Sequence, residues 1–498
     1  MTCLLLRKFR SARQNFRLIA QLGVLIAALL LASAMALAAQ TQAKPNPNPC
    51  NLSAHEADGL GRDLSLDVNA VRTYIDTVSV MLHQERFEQL DCLADRARAN
   101  KERFPGGMWK IHEMYKGLDD PAPGKHSTED DWHDLMQVLQ RWVETHPKSV
   151  TARVATAGAW IGYAGAARGS GYSNTVSESG WKLYEERTAR AEEILEKAAA
   201  MDVRCPEWYV VMINVAKNQS WDKNRLLGLF DEALAFEPGY YYYGRGVAML
   251  LEPKWFGEEG DTEKFMQRVA DNIGSEKGDA FYFHVASSND IVCGCEHQPR
   301  LSLERIERGF EAVEKLYGAS MLNLNRMAYL TIYAGKTDIP YGDKIFKRIG
   351  TEWDRATWDD QKSFEQARNW VSQLAPTIAK AQAKEEEARA NVKTPEGAQY
   401  MLGFQKTYRD MFRDCAHSDG GTVMLWESKF DSLIQVGGNG SYEGGGMQLN
   451  GPLADCMNRK FTSSWQNKSP LFPVPPRPSY VVVIQMDLAD FAPVAAEK

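Results

Sequence analysis

Between Trp181 and Leu251 apolar side chains recur at helical spacing in three successive runs. Trp181, Tyr184, Ala191, Ile194, Leu195 and Ala198 make one face. Trp208, Val211, Met212, Val215 and Ala216 make the next, and Leu226, Leu229, Phe230, Ala233 and Leu234 a third that Pro238 stops. No such helix buries its stripe alone, so each must stack on its neighbours. This is how helical-repeat arrays are built. The stretch therefore predicts a scaffold with a binding surface, and no residue set in it amounts to an active site.

The breaks carry a period. Pro206 and Pro238 are 32 residues apart (238 − 206), close to the roughly 34-residue tetratricopeptide (TPR) period. The 59 residues from Pro147 to Pro206 are one repeat plus the polar insert Arg168 to Ser179. Upstream, two helices are expected within 64–100, then a Pro105-Gly106-Gly107 turn, then a helix from Trp109 to Leu118. Thr128 with Asp131 has the form of a capping box, opening a helix carrying Trp132, Leu135, Leu139 and Trp142. Downstream, helical faces continue to Leu374. Lys380 to Val392 is charged and Ala-rich and reads as a solvated helix or connector. After Gly397 the character changes. A helix from Gln399 to Arg413, strands at Thr422–Trp426 and Phe430–Val436, a helix from Leu453 to Trp465 and a buried strand at Tyr480–Met486 are expected, with Gly444-Gly445-Gly446 as a turn.

The N-terminus reads as a targeting segment. Arg7, Lys8, Arg10, Arg13 and Arg17 precede an apolar run to Ala39, and Ala36-Leu37-Ala38 offers a small-x-small cleavage pattern. Cleavage after Ala38 is expected, placing the body in the periplasm. The alternative is an inner-membrane anchor facing the periplasm, because the run is long enough to span a bilayer. Residues 1–38 hold five basic and no acidic residues, so their removal takes the net charge from −7 to −12 (−7 − 5). That acidity argues against a nucleic-acid partner. Contact with a membrane is expected only if the segment stays uncleaved.

The expected organisation is a signal peptide (1–38), a spacer with Pro and Asn (39–63), a mainly α, TPR-like array (64–375), a connector (376–397) and a small α+β domain (398–498).

Export implies an oxidising compartment, where disulfides are the default reading of cysteine. Cys50 and Cys92 are the only cysteines of the early helices and are expected to pair. Cys415 and Cys456 are the only ones after Gly397 and are likewise expected to pair. Cys293, Cys295 and His297 are close enough in sequence to suggest a metal site, but a disulfide from Cys205 to Cys293 or Cys295 is preferred. No metal and no cofactor are expected.

Candidate binding residues are Arg168 and Tyr172 in the polar insert, the following Trp181, Tyr240 and Tyr242 of the Tyr240–Tyr243 run, and Trp255. Arg168-Gly169-Ser170-Gly171-Tyr172 reads either as an anion-binding loop or as a turn whose Arg168 satisfies helix-end carbonyls. The tyrosine run reads either as a groove lining or, preferred, as core and rim of packed helices.

Three stretches carry a resemblance: FEQLDCLADRAR with GGMWKIHEMYKGL, RWVETHPKSVTAR with AARGSGY and Trp181, and LLEPKWFG. Over residues 64–375 the chain resembles the uncharacterised bacterial TPR-like domain of unknown function 4034 family, which implies a helical array and no assigned activity. LADCMNRKF, LFPVPP and YVVVIQM make the tail similar to the TonB C-terminal domain fold. The short Lys44–Pro49 spacer cannot cross a periplasm, so this likeness implies the fold alone. The expected function is an exported, non-catalytic envelope scaffold that binds a protein or peptide. The alternatives are an envelope-polymer hydrolase using groove carboxylates and a membrane-anchored TonB-like protein.

Overall fold

The computed structural model describes residues 48–121, 127–288, 301–333, 338–418, 429–447 and 452–487. The expected signal segment, the Thr422–Trp426 strand and the Cys293, Cys295 and His297 cluster lie outside them. Among the described residues the chain is mainly helical, with nineteen α-helices and one three-stranded antiparallel sheet near the C-terminus. No helix among them is long and apolar enough to cross a membrane.

The chain forms two compact units. The first takes residues up to 330 together with 351–357. Its helices are α1 (Ala54–Gly61), α2 (Ala70–His83), α3 (Phe87–Ala99), α4 (Lys110–Leu118), α5 (Glu129–Thr145), α6 (Val150–Arg168), α7 (Glu178–Ala199), α8 (Pro206–Asn218), α9 (Lys223–Phe236), α10 (Tyr242–Leu250), α11 (Asp261–Ile273), α12 (Ser275–Ala286), α13 (Leu303–Tyr317) and most of α14 (Met321–Tyr333). Local chemistry sets their starts. Ser53 with Glu56 and Thr128 with Asp131 form reciprocal capping boxes at α1 and α5, each satisfying two otherwise orphaned N–H groups. Ser149, Ser177, Asp222 and Ser302 cap α6, α7, α9 and α13. Pro206 opens α8, where its fixed φ suits the first turn and its missing N–H costs nothing. Large rings fill the spaces between helices. Trp142 is fully buried and stacks on Phe87 with centroids 5.4 Å apart.

The second unit takes residues 331–350 and 358 onward. It contains α15 (Ile339–Ile349), α17 (Gln361–Val392), α18 (Pro395–Ser418), β1 (Lys429–Val436), β2 (Tyr442–Met447), α19 (Pro452–Asn467) and β3 (Tyr480–Asp487); the short α16 (Arg355–Trp358) crosses the boundary. The strand order is β2-β1-β3. Ser432, Ile434 and Val436 share one sheet face with Val482 and Ile484. There Tyr408 of α18 donates to Ser432 Oγ at 2.7 Å, and Phe404, Phe461 and Met457 complete the core. On the opposite face Lys384 of α17 donates to Gln435 Oε1 at 2.8 Å, and Asn391 donates to the Val481 carbonyl at 2.9 Å. With both faces covered, β3 reads as a continuous apolar run.

The charged segment expected to be a helical connector is helical to Val392; it continues α17 through Pro376 and is mostly exposed, with Ala388 fully buried. One expectation needs correction here. Gly444-Gly445-Gly446 is no turn but the middle of β2. A Cβ on Gly445 would lie 1.9 Å from the Leu433 carbonyl oxygen, and its φ is +126°, so only glycine lets the two backbones approach.

Both expected disulfides are present. Cys50–Cys92 has a Cα separation of 5.5 Å and Cys415–Cys456 one of 5.6 Å. The expected bridge from Cys205 to Cys293 or Cys295 is not formed. Cys205 is a free, buried thiol 3.3 Å from the Tyr115 hydroxyl.

Candidate functional site

The first unit holds a cavity of about 470 Å³ bordered by Lys101, Arg103, Gly239, Tyr241, His284 and Tyr317, among others. The Pro105-Gly106-Gly107 turn builds one wall. Both glycines have positive φ, near +82° and +84°, which other residues adopt only with strain. A Cβ on Gly107 would also sit 2.7 Å from the Tyr317 ring and 2.9 Å from His284 Nε2. The turn folds Arg103 back over Trp109, with the guanidinium 3.8 Å from the ring centroid. Lys101 pairs with Glu237 at 2.6 Å.

His284 of α12 closes the floor. It is 2% exposed, and neither ring nitrogen has a hydrogen-bond partner. Tyr241 stacks on it at 3.9 Å and 7°. Burial first, and then the charges of Arg245, Arg326 and Arg103, hold its pKa well below the ordinary 6.5. Arg245 donates from Nε to the His284 carbonyl at 2.8 Å, while its Nη2 has no partner. Arg326 Nη1 is likewise buried and unpartnered, as is Asn323 Oδ1. Among the described residues no carboxylate lies within ion-pair distance of Arg103, Arg245 or Arg326. Such orphaned buried donors are rare and each is costly.

Behind this floor a polar network runs through the packed helices. Tyr241 donates to Tyr242 at 3.0 Å, and Tyr242 donates to Glu113 at 3.3 Å. His112 stacks on Tyr242 at 3.5 Å, and its Nδ1 is 2.9 Å from Glu207 Oε2. The Tyr240 hydroxyl also donates to Glu207. Burial pushes the Glu207 pKa up to about 8, and its Oε2 faces both His112 Nδ1 and the donating Tyr240 hydroxyl. Burial, with the charge of Lys116, holds the His112 pKa well below 6.5. Burial also pushes Glu113 up, but Lys116 at 2.9 Å, with His112 and Arg326, brings it below its ordinary value.

Glu207 also borders a second cavity of about 700 Å³, with Asp119, Asp120, Trp132 and the small-residue side of α6. Burial, followed by the charges of Glu207 and Asp120, raises the Asp119 pKa well above its usual range.

The candidates from sequence are dispersed. Tyr240 and Tyr242 are buried in the network, which matches the preferred core reading. Arg168 donates to the Gly169 and Gly171 carbonyls at 3.0 and 3.2 Å and stands 5.7 Å from the Trp181 ring. These are carbonyls of the loop itself, beyond the end of α6, and not the helix-end carbonyls of the turn reading. Tyr172 beside them is 86% exposed. Trp255 lies in the turn after α10, half-exposed and outside both cavities. Sequence reasoning missed His112, Glu113, Glu207, His284, Arg245 and Arg326. Their one signal was the tyrosine run that stacks on both histidines. No group of three or more metal-ligating side chains occurs among the described residues. Compared with family models, with curated proteins and with solved structures, the chain matches none.

Proposed function

We propose that the chain is an exported envelope scaffold whose TPR-like helical stacking presents a cleft to a protein or peptide partner, without catalysis. One observation carries this reading: the cavity that ends on the unpartnered, buried His284 is a built concavity with cationic and aromatic walls. Pockets of this size with a few convergent polar groups are the usual form of a recognition site. In this reading the Lys101, Arg103, Tyr241 and Tyr317 wall receives a chain segment, and the acidic remainder of the surface keeps the protein soluble. The test is photocrosslinking in the cell from position 277, at the cleft mouth, with position 182 on α7 as the distant control. One defined polypeptide captured at 277 alone, and lost with Arg103→Glu, supports the reading. Equal labelling from both positions refutes it.

A second reading rests on Glu207. Two carboxyls, Glu207 and Asp119, both with raised pKa and lining one cavity, are the kind of group that serves as a general acid. This is the envelope-polymer hydrolase reading. Turnover of a glycan, peptide or ester that is abolished by Glu207→Gln would displace the scaffold reading. Recovery of the protein only with membranes would favour the anchored form.

A further inference from the structure

We infer that the floor of the cleft is an oxyanion site, which takes a carboxylate or phosphate group of the ligand on His284 with Arg103, Arg245 and Arg326 around it. The inference rests on the cleft being the binding face, as proposed above. Arg103 borders the cleft beside His284, and Arg245 bonds the His284 carbonyl and lies 4.8 Å from the Tyr241 ring that stacks on His284; the charge of Arg326 acts on the same imidazole. Arg245 Nη2 and Arg326 Nη1 are buried without a hydrogen-bond acceptor, and so is the one N–H of the neutral His284 ring, neither of whose nitrogens has a partner. A fold that served only to pack would pair these groups or replace them with apolar ones, because buried unpaired charge is destabilising. An anion at the cleft floor supplies what they lack: negative charge and several acceptor lone pairs. Arginine suits the role, since its planar donors match carboxylate and phosphate oxygens. A Cβ at Gly107 would lie 2.9 Å from His284 Nε2, so only glycine leaves the ring edge without a side chain pressed against it. The other groups facing His284 are Tyr241, stacked on it, and Tyr317 beyond Gly107. The carboxylates whose charge reaches Arg326 are Asp354, which accepts from Thr357, and Glu113, which is bonded to Lys116 and Tyr242.

The experiment uses the full chain and isothermal titration with inorganic phosphate, acetate and a short peptide carrying either a free or an amidated C-terminus. Phosphate or acetate is expected to bind and to raise the melting temperature. Arg326→Met and, separately, Arg245→Met are expected to weaken that binding at least tenfold. Arg326→Met is expected to melt no lower than wild type without anion, because it removes an unpaired buried charge, whereas Arg245→Met also loses the bond to the His284 carbonyl and is expected to melt lower. A free-C-terminal peptide binding at least tenfold better than its amide marks a peptide carboxylate as the source; phosphate binding without that preference marks a phosphorylated ligand. Absence of binding by phosphate, acetate and both peptides overturns the inference, as does binding unchanged in both methionine variants. Crosslinking from position 277 is read separately. A captured partner without anion binding leaves the scaffold reading standing and removes only the oxyanion site. Anion binding without a captured partner does the reverse.

Discussion

Replacing Cys415 and Cys456 together by alanine removes a bridge that joins α18 to α19 across 41 residues. The chain-entropy relation for a loop of that length gives about 4 kcal/mol of stabilisation at 25 °C. Alanine is the right substitute. Cys415 is fully buried and Cys456 nearly so, and serine would add buried hydroxyls whose desolvation confuses the reading. For a unit of this size each kcal/mol moves the midpoint by roughly 2–4 °C, so the second unit is expected to melt roughly 8–16 °C lower. Global melting would mix the two units. Hydrogen exchange along a urea series, read on peptides from β1 and β3, isolates the sheet. Peptides from α5 and α8 serve as the internal control and are expected not to move. If the β1 and β3 midpoints fall by less than about 1 kcal/mol, the bridge does not constrain the unfolded chain as reasoned, and helix docking through Phe404, Tyr408 and Phe461 carries the unit instead.

Phe404→Ala empties a fully buried site stacked on Phe472 at 4.6 Å and is expected to cost about 3–5 kcal/mol, read as a lower urea midpoint for β3. Gly107→Ala forces a non-glycine residue to φ near +84° and pushes a methyl against Tyr317; a loss of about 1–2 kcal/mol is expected for the backbone alone, and a change under about 0.5 kcal/mol in thermal melts would contradict the tight turn. Glu207 has a folded-state pKa of about 8 against an ordinary 4.5, so its contribution is complete below pH 4.5 and is lost as pH rises towards 8. Depressed histidines such as His112 oppose this only below their ordinary 6.5, so from pH 6.5 to 8 stability is expected to fall by about 1.4 kcal/mol per pH unit. Denaturant melts of Glu207→Gln should be flat by comparison, and an equally steep variant would contradict the assignment.

Much of the architecture was legible because its causes are local. Apolar residues at helical spacing place α7, α8 and α9, Thr128 with Asp131 starts α5, and the YVVVI run of β3 shows that both sheet faces are covered. β2 was illegible for an equally local reason. A run of glycines signals a turn unless another backbone lies against it, and the Leu433 carbonyl that does so belongs to a strand about ten residues earlier. The candidate site was hidden by distance along the chain. His112 meets Glu207 across 95 residues and Trp109 meets Gly239 across 130. The unpartnered nitrogens of His284 become a signal only once burial is known. A histidine in an apolar run, with arginines far away in sequence, looks like any other core position.

The two bridges have a consequence for how the chain matures. Cys50–Cys92 and Cys415–Cys456 span 42 and 41 residues and do not interleave. If the chain is exported as proposed, and delivered from its N-terminus into an oxidising compartment, the first pair can close before Cys205 arrives. Cys205 then ends 2% exposed beneath the Tyr115 hydroxyl, where an exchanging disulfide cannot reach its sulfur. For these five cysteines native oxidation therefore follows from the order of arrival, with little call for an isomerase to sort the pairs.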